Sequence, residues 1–363
     1  MVNIAIVGPG LVGAELISQL RAYNQLAHSA KLPVIAISNS KKMLLTTPAK
    51  CATALTGDWT VAPDVVAADL TRVAQHAVQH QPCVIVDCTS SDSVAALYPS
   101  WLKLGLHVVT PNKKGFSGSL SLFKEIKALT APKAGHRYPL AYHEATVGAG
   151  LPIISTLTDL ISTGDHIEKI EGIFSGTLSY IFNNFSTTGD ASTPKFSEIV
   201  AIAKAKGYTE PDPRDDLNGM DVARKVVILG RVAGQELSLE SLEVENIVPP
   251  ELRSISTSEE FMEKLPLFDD HFAALNQSAR ESGSVLRLVG TVIPGGQSSV
   301  KLVRYDASHP FASLKGSDNI IAFTTKRFPS PLIVQGSGAG AAVTAHGIFS
   351  DILRINAITS YAL

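Results

Sequence analysis

NIAIVGPGLVG, residues 3–13, sets a short β-branched run directly against the glycines Gly8, Gly10 and Gly13, with a helical pattern running from Leu11 to Tyr23 behind them. Strand, GxGxxG and helix in that order open a dinucleotide-binding βαβ unit. The first glycine permits the tight turn. The second lets a pyrophosphate approach the backbone at Gly10, Leu11 and Val12, and the third allows the helix to pack closely on the strand. The helix N-terminus adds N–H groups that have no intrahelical acceptor. A purely structural glycine turn is the alternative reading.

Outward from this stretch, β-branched runs alternate with amphipathic ones as far as residue 145: strands at Ile4 to Val7, Val34 to Ser38, Cys83 to Cys88, His107 to Thr110 and Tyr138 to His143, with helical spacing over Asp64 to His80 and Ser93 to Leu104. This pattern predicts an α/β fold whose first domain, residues 1–150, is a Rossmann-type doubly wound parallel sheet. From 151 to 337 the character changes to α+β. A helix opens at Pro152, the strand Ile167 to Phe174 follows, and three helical segments lead to strands at Val285 to Ile293, Val300 to Asp306, Asn319 to Thr325 and Leu332 to Gln335, which form a mixed or antiparallel sheet. The tail predicts a helix over 338–357 that packs back on the first domain.

The chain has 363 residues, enough for two domains without staples, and 31 basic against 33 acidic side chains give a formal charge of -2. No bulk field is available to hold nucleic acid or an anionic bilayer, and no window supplies an uninterrupted membrane span. Neither kind of partner is expected. Three cysteines, Cys51, Cys83 and Cys88, with no CxxC pair, point to a reducing cytoplasm. The N-terminus lacks the basic and continuous apolar regions of a signal peptide.

Further motifs carry chemistry. An NAD-selective fold ends its second strand with Asp or Glu. This sequence has Ser38, Asn39, Ser40, Lys41 and Lys42, so a 2′-phosphate is tolerated and NADP stands beside NAD, unless the two lysines are ordinary solvated charges. Thr89 and Ser90 follow the strand at Cys83, where they either line the cofactor or cap the next helix. Lys113, in TPNKK, follows the strand after that and can meet cofactor or a carboxylate. HEATVGAGLP, residues 143–152, has the composition of a loop that aims several main-chain oxygens at one hard cation with Glu144 beside it, or of a domain hinge before a helix.

GYTEPDPRDDLNGMDVARK, residues 207–225, is the densest block. Pro211 and Pro213 break helix, which leaves Glu210, Asp212, Asp215 and Asp216 on a loop before a helix that begins near Leu217. On that helix Val222, Val226, Leu229 and Ala233 make an apolar stripe, and Asp221 and Lys225 share the adjoining face at i and i+4. A partly desolvated lysine can act as a general acid while the acids bind an α-ammonium group. An exposed helix salt bridge beside an acidic loop is the alternative.

Taken in order, GPGLVG, TPNKK, EATVGAGLPII, EGIFSGTLSYIFN, the 207–225 block, SHPFASLKGSDN and GSGAGAAVTA resemble the successive signatures of homoserine dehydrogenase in its short, fungal-type form, from residue 8 to residue 345. The resemblance implies an NAD(P)-dependent oxidoreductase that interconverts L-aspartate 4-semialdehyde and L-homoserine in threonine, methionine and isoleucine biosynthesis. It further implies that Lys225 is the proton donor, Lys113 the cofactor-side lysine, and Glu210, Asp216 and Asp221 the substrate carboxylates. Gly176, Thr177 and Tyr208 would stand beside the substrate, with Gly207 and Gly340 at the cofactor. Main-chain oxygens of Val147, Ala149 and Leu151, with Glu144, would hold a monovalent cation, sodium by resemblance, and the protein would be a homodimer. Pro9 and Ser175 depart from many relatives, which carry a small residue and Asn there. No aspartokinase domain and no appended regulatory module are expected.

Two rivals remain. Aspartate semialdehyde dehydrogenase chemistry needs a nucleophilic cysteine in the second domain, where none occurs. A non-catalytic NADPH-binding regulator would be expected to have lost Lys225 or the acid cluster.

Overall fold

The structure, a computed structural model, describes residues 1–26, 31–50, 58–132, 138–187 and 194–361, so Cys51 lies outside the described residues. The chain divides into two units, Met1–Pro152 with Ala339–Leu363, and Ile153–Gly338.

The first unit opens with β1 (Asn3–Val7), α1 (Leu11–Gln25), β2 (Val34–Ser38), β3 (Lys42–Leu45) and β4 (Val66–Ala67). It continues with α2 (Leu70–Gln79), β5 (Cys83–Asp87), α3 (Asp92–Ala95), α4 (Tyr98–Lys103), β6 (His107–Val109), α5 (Lys114–Ser117), α6 (Leu120–Leu129) and β7 (Ala141–Tyr142). The sheet order is β4-β3-β2-β1-β5-β6-β7, parallel from β2 to β7, with β3 and β4 added antiparallel on one edge. Strand β1 therefore lies central, and α1 leaves its carboxyl end.

The second unit contains α7 (Ile154–Ser162), β8 (Ile167–Ile173), α8 (Gly176–Phe185), α9 (Phe196–Ala205), α10 (Arg214–Leu217) and α11 (Met220–Val232). After β9 (Glu243–Val244) come α12 (Ser258–Lys264), α13 (Asp269–Glu281), β10 (Ser284–Val292), β11 (Ser299–Asp306), β12 (Asp318–Thr325) and β13 (Leu332–Ser337). The six-stranded sheet runs β13-β12-β8-β10-β11-β9, antiparallel except for the β9–β11 pair, so it is mixed. The chain then rejoins the first unit as α14 (Ala341–Tyr361), whose Ile348, Ile352 and Ile355 complete a core with Ile4, Ile6, Leu16, Leu20, Val84 and Val86.

Several sequence boundaries give way for local reasons. The helical pattern over Asp64 to His80 starts only at Leu70, because the Asp69 carboxylate accepts from the N–H groups of Thr71 and Arg72 and fixes the cap there. Ahead of it, Val66–Ala67 pairs with β3. Ser93 to Leu104 is two short helices, not one, since Pro99 in the first turn of α4 has no N–H to continue a ladder from α3. The strand expected over Tyr138 to His143 shrinks to Ala141–Tyr142, and the helix expected at Pro152 begins at Ile154. Between Gly176 and Glu281 the described residues form six helices instead of three. Asp215 and Asp216 ride on the one-turn α10 and not on a loop, and the next helix waits until Met220 because Gly219 turns the chain with φ 75°.

Buried charge is dealt with locally. Arg287 on β10 is 2% exposed, and its guanidinium donates to the carbonyls of Phe182, Ser186, Leu286, Phe311 and Ala312. This satisfies all of its nitrogens and binds the C-terminal end of α8 to the segment before β12. Burial pulls its pKa down to about 10.

Candidate active site

In the first unit the fingerprint is built from backbone. Gly8 has φ +77°, and a Cβ there would come within 2.4 Å of Thr89 Cγ2. A Cβ at Gly13 would stand 3.0 Å from the Gly8 carbonyl oxygen, whereas one at Gly10 would meet nothing within 4 Å. The first and third glycines are thus required by the protein's own packing, and the second leaves space for something else. Helix α1 has no side-chain cap, and its first internal bond runs from Ala14 N–H to the Gly10 carbonyl. The N–H groups of Leu11, Val12 and Gly13 precede that bond, and Leu11 itself is 87% exposed. Space and unbonded N–H groups at one helix start fit a dinucleotide pyrophosphate.

Strand β2 ends at Ser38, whose carbonyl accepts from Gly8 N–H at 2.8 Å. The Asn39 carboxamide oxygen then accepts from the N–H groups of Lys41 (2.8 Å) and Lys42 (2.7 Å), which closes the turn into β3. Lys41 is exposed, while Lys42 Nζ donates to the Thr60 carbonyl at 3.1 Å. No acid stands at this turn.

The loops after β5 and β6 are held by a group that the sequence did not single out. Asp87, fully buried, accepts from Thr89 N–H (2.8 Å), the Tyr98 hydroxyl (2.5 Å) and the Asn112 carboxamide (3.0 Å). Thr110 donates its hydroxyl hydrogen to the Asp87 carbonyl, and Asn112 also reaches the Ser91 carbonyl. Burial, and next the Asp87 charge, push the Tyr98 phenol well above its ordinary range, so it stays a donor. This network ties the Thr89–Ser90 loop to the turn that carries Lys113. Thr89 Oγ1 accepts from Ser91 N–H, Ser91 caps α3 and Ser90 is exposed, so neither predicted residue is the helix cap.

HEATVGAGLP runs between β7 and α7. His143 is buried, stacked 3.8 Å from the Phe116 ring and lowered to about 3 by burial, so it is a neutral core residue. Ala149, with φ 55°, is the one positive-φ residue other than glycine among the described residues. Its carbonyl oxygen would stand 2.5 Å from a Cβ on Gly347 of α14. Glu144 is buried with its carboxylate on Arg354 Nη1 at 3.1 Å, and its N–H donates to Asp351. Burial raises Asp351 to about 7. Gly340 accepts from the Thr344 N–H and hydroxyl at the start of α14.

The second unit holds the charged cluster. The apolar stripe of α11, Val222, Val226 and Leu229, is buried, with Val226 packed on Gly290 of β10. The same helix face carries Lys225, 7% exposed, with Nζ 2.6 Å from Asp221 Oδ2 and donating at 2.7 Å to the Phe174 carbonyl at the end of β8. This is not an exposed salt bridge: the ammonium is desolvated between a carboxylate and a main-chain oxygen. Glu210 N–H donates to Asp216 at 2.8 Å, and the single hydroxyl hydrogen of Thr177 has two acceptors in reach, the Tyr208 carbonyl at 2.6 Å and the Asp216 carboxylate. Burial raises the Asp216 carboxyl to about 6, and the charges of Glu210 and Asp221 add to it. Asp212 is engaged otherwise, in a bidentate pair with Arg214. Gly176 opens α8 behind Ser175, whose hydroxyl caps the helix by accepting from Leu178 N–H. Gly207 stands in this unit, next to Tyr208.

A buried lysine ammonium paired with a carboxylate has the chemistry of a proton donor to a carbonyl oxygen, and the glycine cradle of the first unit has that of a dinucleotide site. These features define a nicotinamide-dependent oxidoreductase. Comparison with known proteins narrows the class: the profile described as "Homoserine dehydrogenase" matches residues 152–353 and "Homoserine dehydrogenase, NAD binding domain" matches residues 8–140. The homoserine dehydrogenase of Schizosaccharomyces pombe is 46% identical over 361 residues, covering 98% of this chain and 95% of the relative. A bifunctional aspartokinase/homoserine dehydrogenase of Arabidopsis thaliana is 49% identical over 362 residues, and the chain spans 38% of its length. A crystal structure of a Candida auris protein of unknown function superposes with a TM-score of 0.88 at 45% identity, covering 98% of both chains. The chain belongs to the homoserine dehydrogenase family.

Proposed function

We propose that the chain interconverts L-aspartate 4-semialdehyde and L-homoserine with Lys225 as the proton donor to the aldehyde oxygen. The observation that carries this reading is the buried ammonium between Asp221 and the Phe174 carbonyl. The bound nicotinamide supplies or accepts the hydride. Lys225 gives its proton as the alkoxide develops and stabilises that charge. Asp216, Asp221 and Glu210 are more acids than one lysine requires, and the surplus suits the substrate α-ammonium, with Gly176, Thr177 and Tyr208 lining the same cluster. Residues 1–150 with the helix 338–357 bind the dinucleotide through Gly8, Gly10, Leu11, Val12, Gly13, Thr89, Ser90, Lys113 and Gly340, and residues 151–337 contribute Gly207 to it. Residues 151–337 bind substrate and dimerise.

Coenzyme choice includes NADP, since Asn39 and Lys41 occupy the turn where an acid would repel a 2′-phosphate. The 144–151 loop suits a monovalent cation, sodium by family likeness. The ion would take the main-chain oxygens of Val147, Ala149 and Leu151 with the Glu144 carboxylate, whose Oε2 is on Arg354. The left-handed Ala149 is a strain that ion binding would account for. Chelators of divalent metals are expected to leave activity intact. A homodimer is supported by β13, an edge strand with Ile333 38% exposed, and is checked by sedimentation at twice the chain mass. A cytoplasmic location agrees with the free thiols of Cys83 and Cys88; among the described residues no helix is long and apolar enough to cross a membrane.

The experiment is direct. Purified protein with L-homoserine and either NADP or NAD is followed by absorbance of the reduced nicotinamide. Homoserine-dependent reduction with NADP at least as fast as with NAD is expected, and no reduction of either coenzyme would overturn the assignment.

A further inference from the structure

The motif SHPFASLKGSDN ends in Asn319, and GSGAGAAVTA, which begins at Gly336 on β13, brings Gly338 just past that strand. Neither Asn319 nor Gly338 has a part in the reaction as read so far. Asn319 stands on β12, 0% exposed, and its carboxamide Nδ2 donates at 3.1 Å to the Phe174 carbonyl. That is the oxygen on which Lys225 Nζ rests at 2.7 Å. Two donors from two distant elements therefore converge on one main-chain acceptor. The carboxamide's orientation is fixed by chemistry, since only the nitrogen end can face a carbonyl.

Two observations mark Asn319 as more than filler. Its Oδ1 is buried with no hydrogen-bond partner, an arrangement that costs stability and would vanish with an apolar residue of the same shape. And Gly338 crosses so close that a Cβ there would stand 2.0 Å from Asn319 Nδ2 and 2.1 Å from Cγ. The backbone after β13 gives up its side chain at the place where the carboxamide must lie.

We propose that Asn319 is a positioning residue for the reaction, holding the Phe174 carbonyl that in turn holds the Lys225 ammonium, and that Gly338 is kept without a side chain to let the carboxamide reach it. The inference rests on the reading of Lys225 as proton donor. With the carboxamide in place, the carbonyl has one orientation and Lys225 points where Asp221 and that oxygen direct it. Without it the end of β8 has only the lysine itself to bond, and the ammonium loses a fixed second anchor.

The test uses Asn319→Leu, which keeps the bulk and removes the donor, and Gly338→Ala, which leaves Asn319 in the sequence but displaces its carboxamide. Each is measured for kcat, for the Michaelis constants of homoserine and NADP, and for melting temperature, beside Lys225→Ala and the double variant Asn319→Leu/Lys225→Ala. Both single variants are expected to lose about tenfold in kcat, with both Michaelis constants within about twofold. In the Lys225→Ala background Asn319→Leu is expected to cost nothing further, because its effect passes through the lysine. If Asn319→Leu fails to fold, Gly338→Ala carries the decision. A folded Gly338→Ala or Asn319→Leu with wild-type kcat overturns the inference, as does a loss that multiplies fully onto Lys225→Ala. Wild-type turnover in Lys225→Ala would instead remove the lysine reading, and the two failures are told apart.

Discussion

The two units meet charge in opposite ways. In the first, the dinucleotide cradle is nearly all main chain: Gly8 in a left-handed turn, Gly13 against the Gly8 carbonyl, and helix N–H groups, with the buried acid behind its loops, Asp87, surrounded by the neutral donors Thr89, Tyr98 and Asn112. In the second, the site is made of side chains, and acids exceed the lysine beside them. A polyanionic cofactor is suited by backbone donors that cost no side-chain entropy and carry no charge to titrate. A small amino-acid substrate offers few atoms, so charge has to discriminate it. This contrast predicts that damage to the first unit appears as binding and damage to the second as turnover.

The largest effect should follow Lys225→Ala, which is expected to cut turnover by about 10² or more while coenzyme affinity stays near wild type, as read by stopped turnover assays and NADPH fluorescence titration. If the lysine were only half of a helix salt bridge, turnover would survive in a folded variant. Next comes Gly10→Val, expected to weaken NADPH binding by about tenfold or more without a change in melting temperature, since its Cβ meets no protein atom within 4 Å. Gly13→Val should lose both affinity and stability, its Cβ being 3.0 Å from the Gly8 carbonyl. Equal melting temperatures for the two variants would erase the distinction drawn between ligand space and packing.

A smaller effect separates the units by pH. Burial raises the Asp216 carboxyl to about 6, and on the proposed reading only its ionised form holds the α-ammonium, so the Michaelis constant for homoserine should rise several-fold as pH falls through about 6. Asp216→Asn should flatten that rise, and the constant for NADP should not follow it. The same raised pKa means that folding takes up a proton between the ordinary carboxylate range and about 6. The stability contributed by this group is greatest below that window and is lost as pH rises through it. The smallest expected change is at the end of β2: Lys41→Ala should raise the Michaelis constant for NADP about two- to threefold over that for NAD. Lys42→Ala should do less, because its ammonium is already on the Thr60 carbonyl. Equal effects on both coenzymes would return Lys41 to the solvated surface.

What the sequence shows and what it hides follow from the same contrast. A backbone cradle must be written in glycines at fixed spacing, so residues 8–13 could be read directly. The Asp221–Lys225 pair was legible through helical periodicity. Hidden from the sequence were partners with no local signature. The Phe174 carbonyl is main chain, and nothing in its side chain announces that Lys225 will end on it. Tyr98 reaches Asp87 from a helix that the apolar spacing alone does not separate from its neighbour, and Pro99 is the signal that does. Asn319 lies 145 residues from Phe174, a pairing that only the β8–β12 register brings about. The two prolines put Asp216 on a loop in the sequence pattern, whereas Gly219 starts a second helix and leaves Asp216 on a separate helical turn.

The division of labour is tested most directly by measuring kcat and the NADPH dissociation constant on Lys225→Ala and Gly10→Val side by side. The account predicts a crossed result, with Lys225→Ala losing about 10² in kcat at unchanged NADPH affinity and Gly10→Val losing about tenfold in affinity with most of its kcat retained at saturating coenzyme. Parallel losses, in which both variants lower both quantities by similar factors, would contradict it.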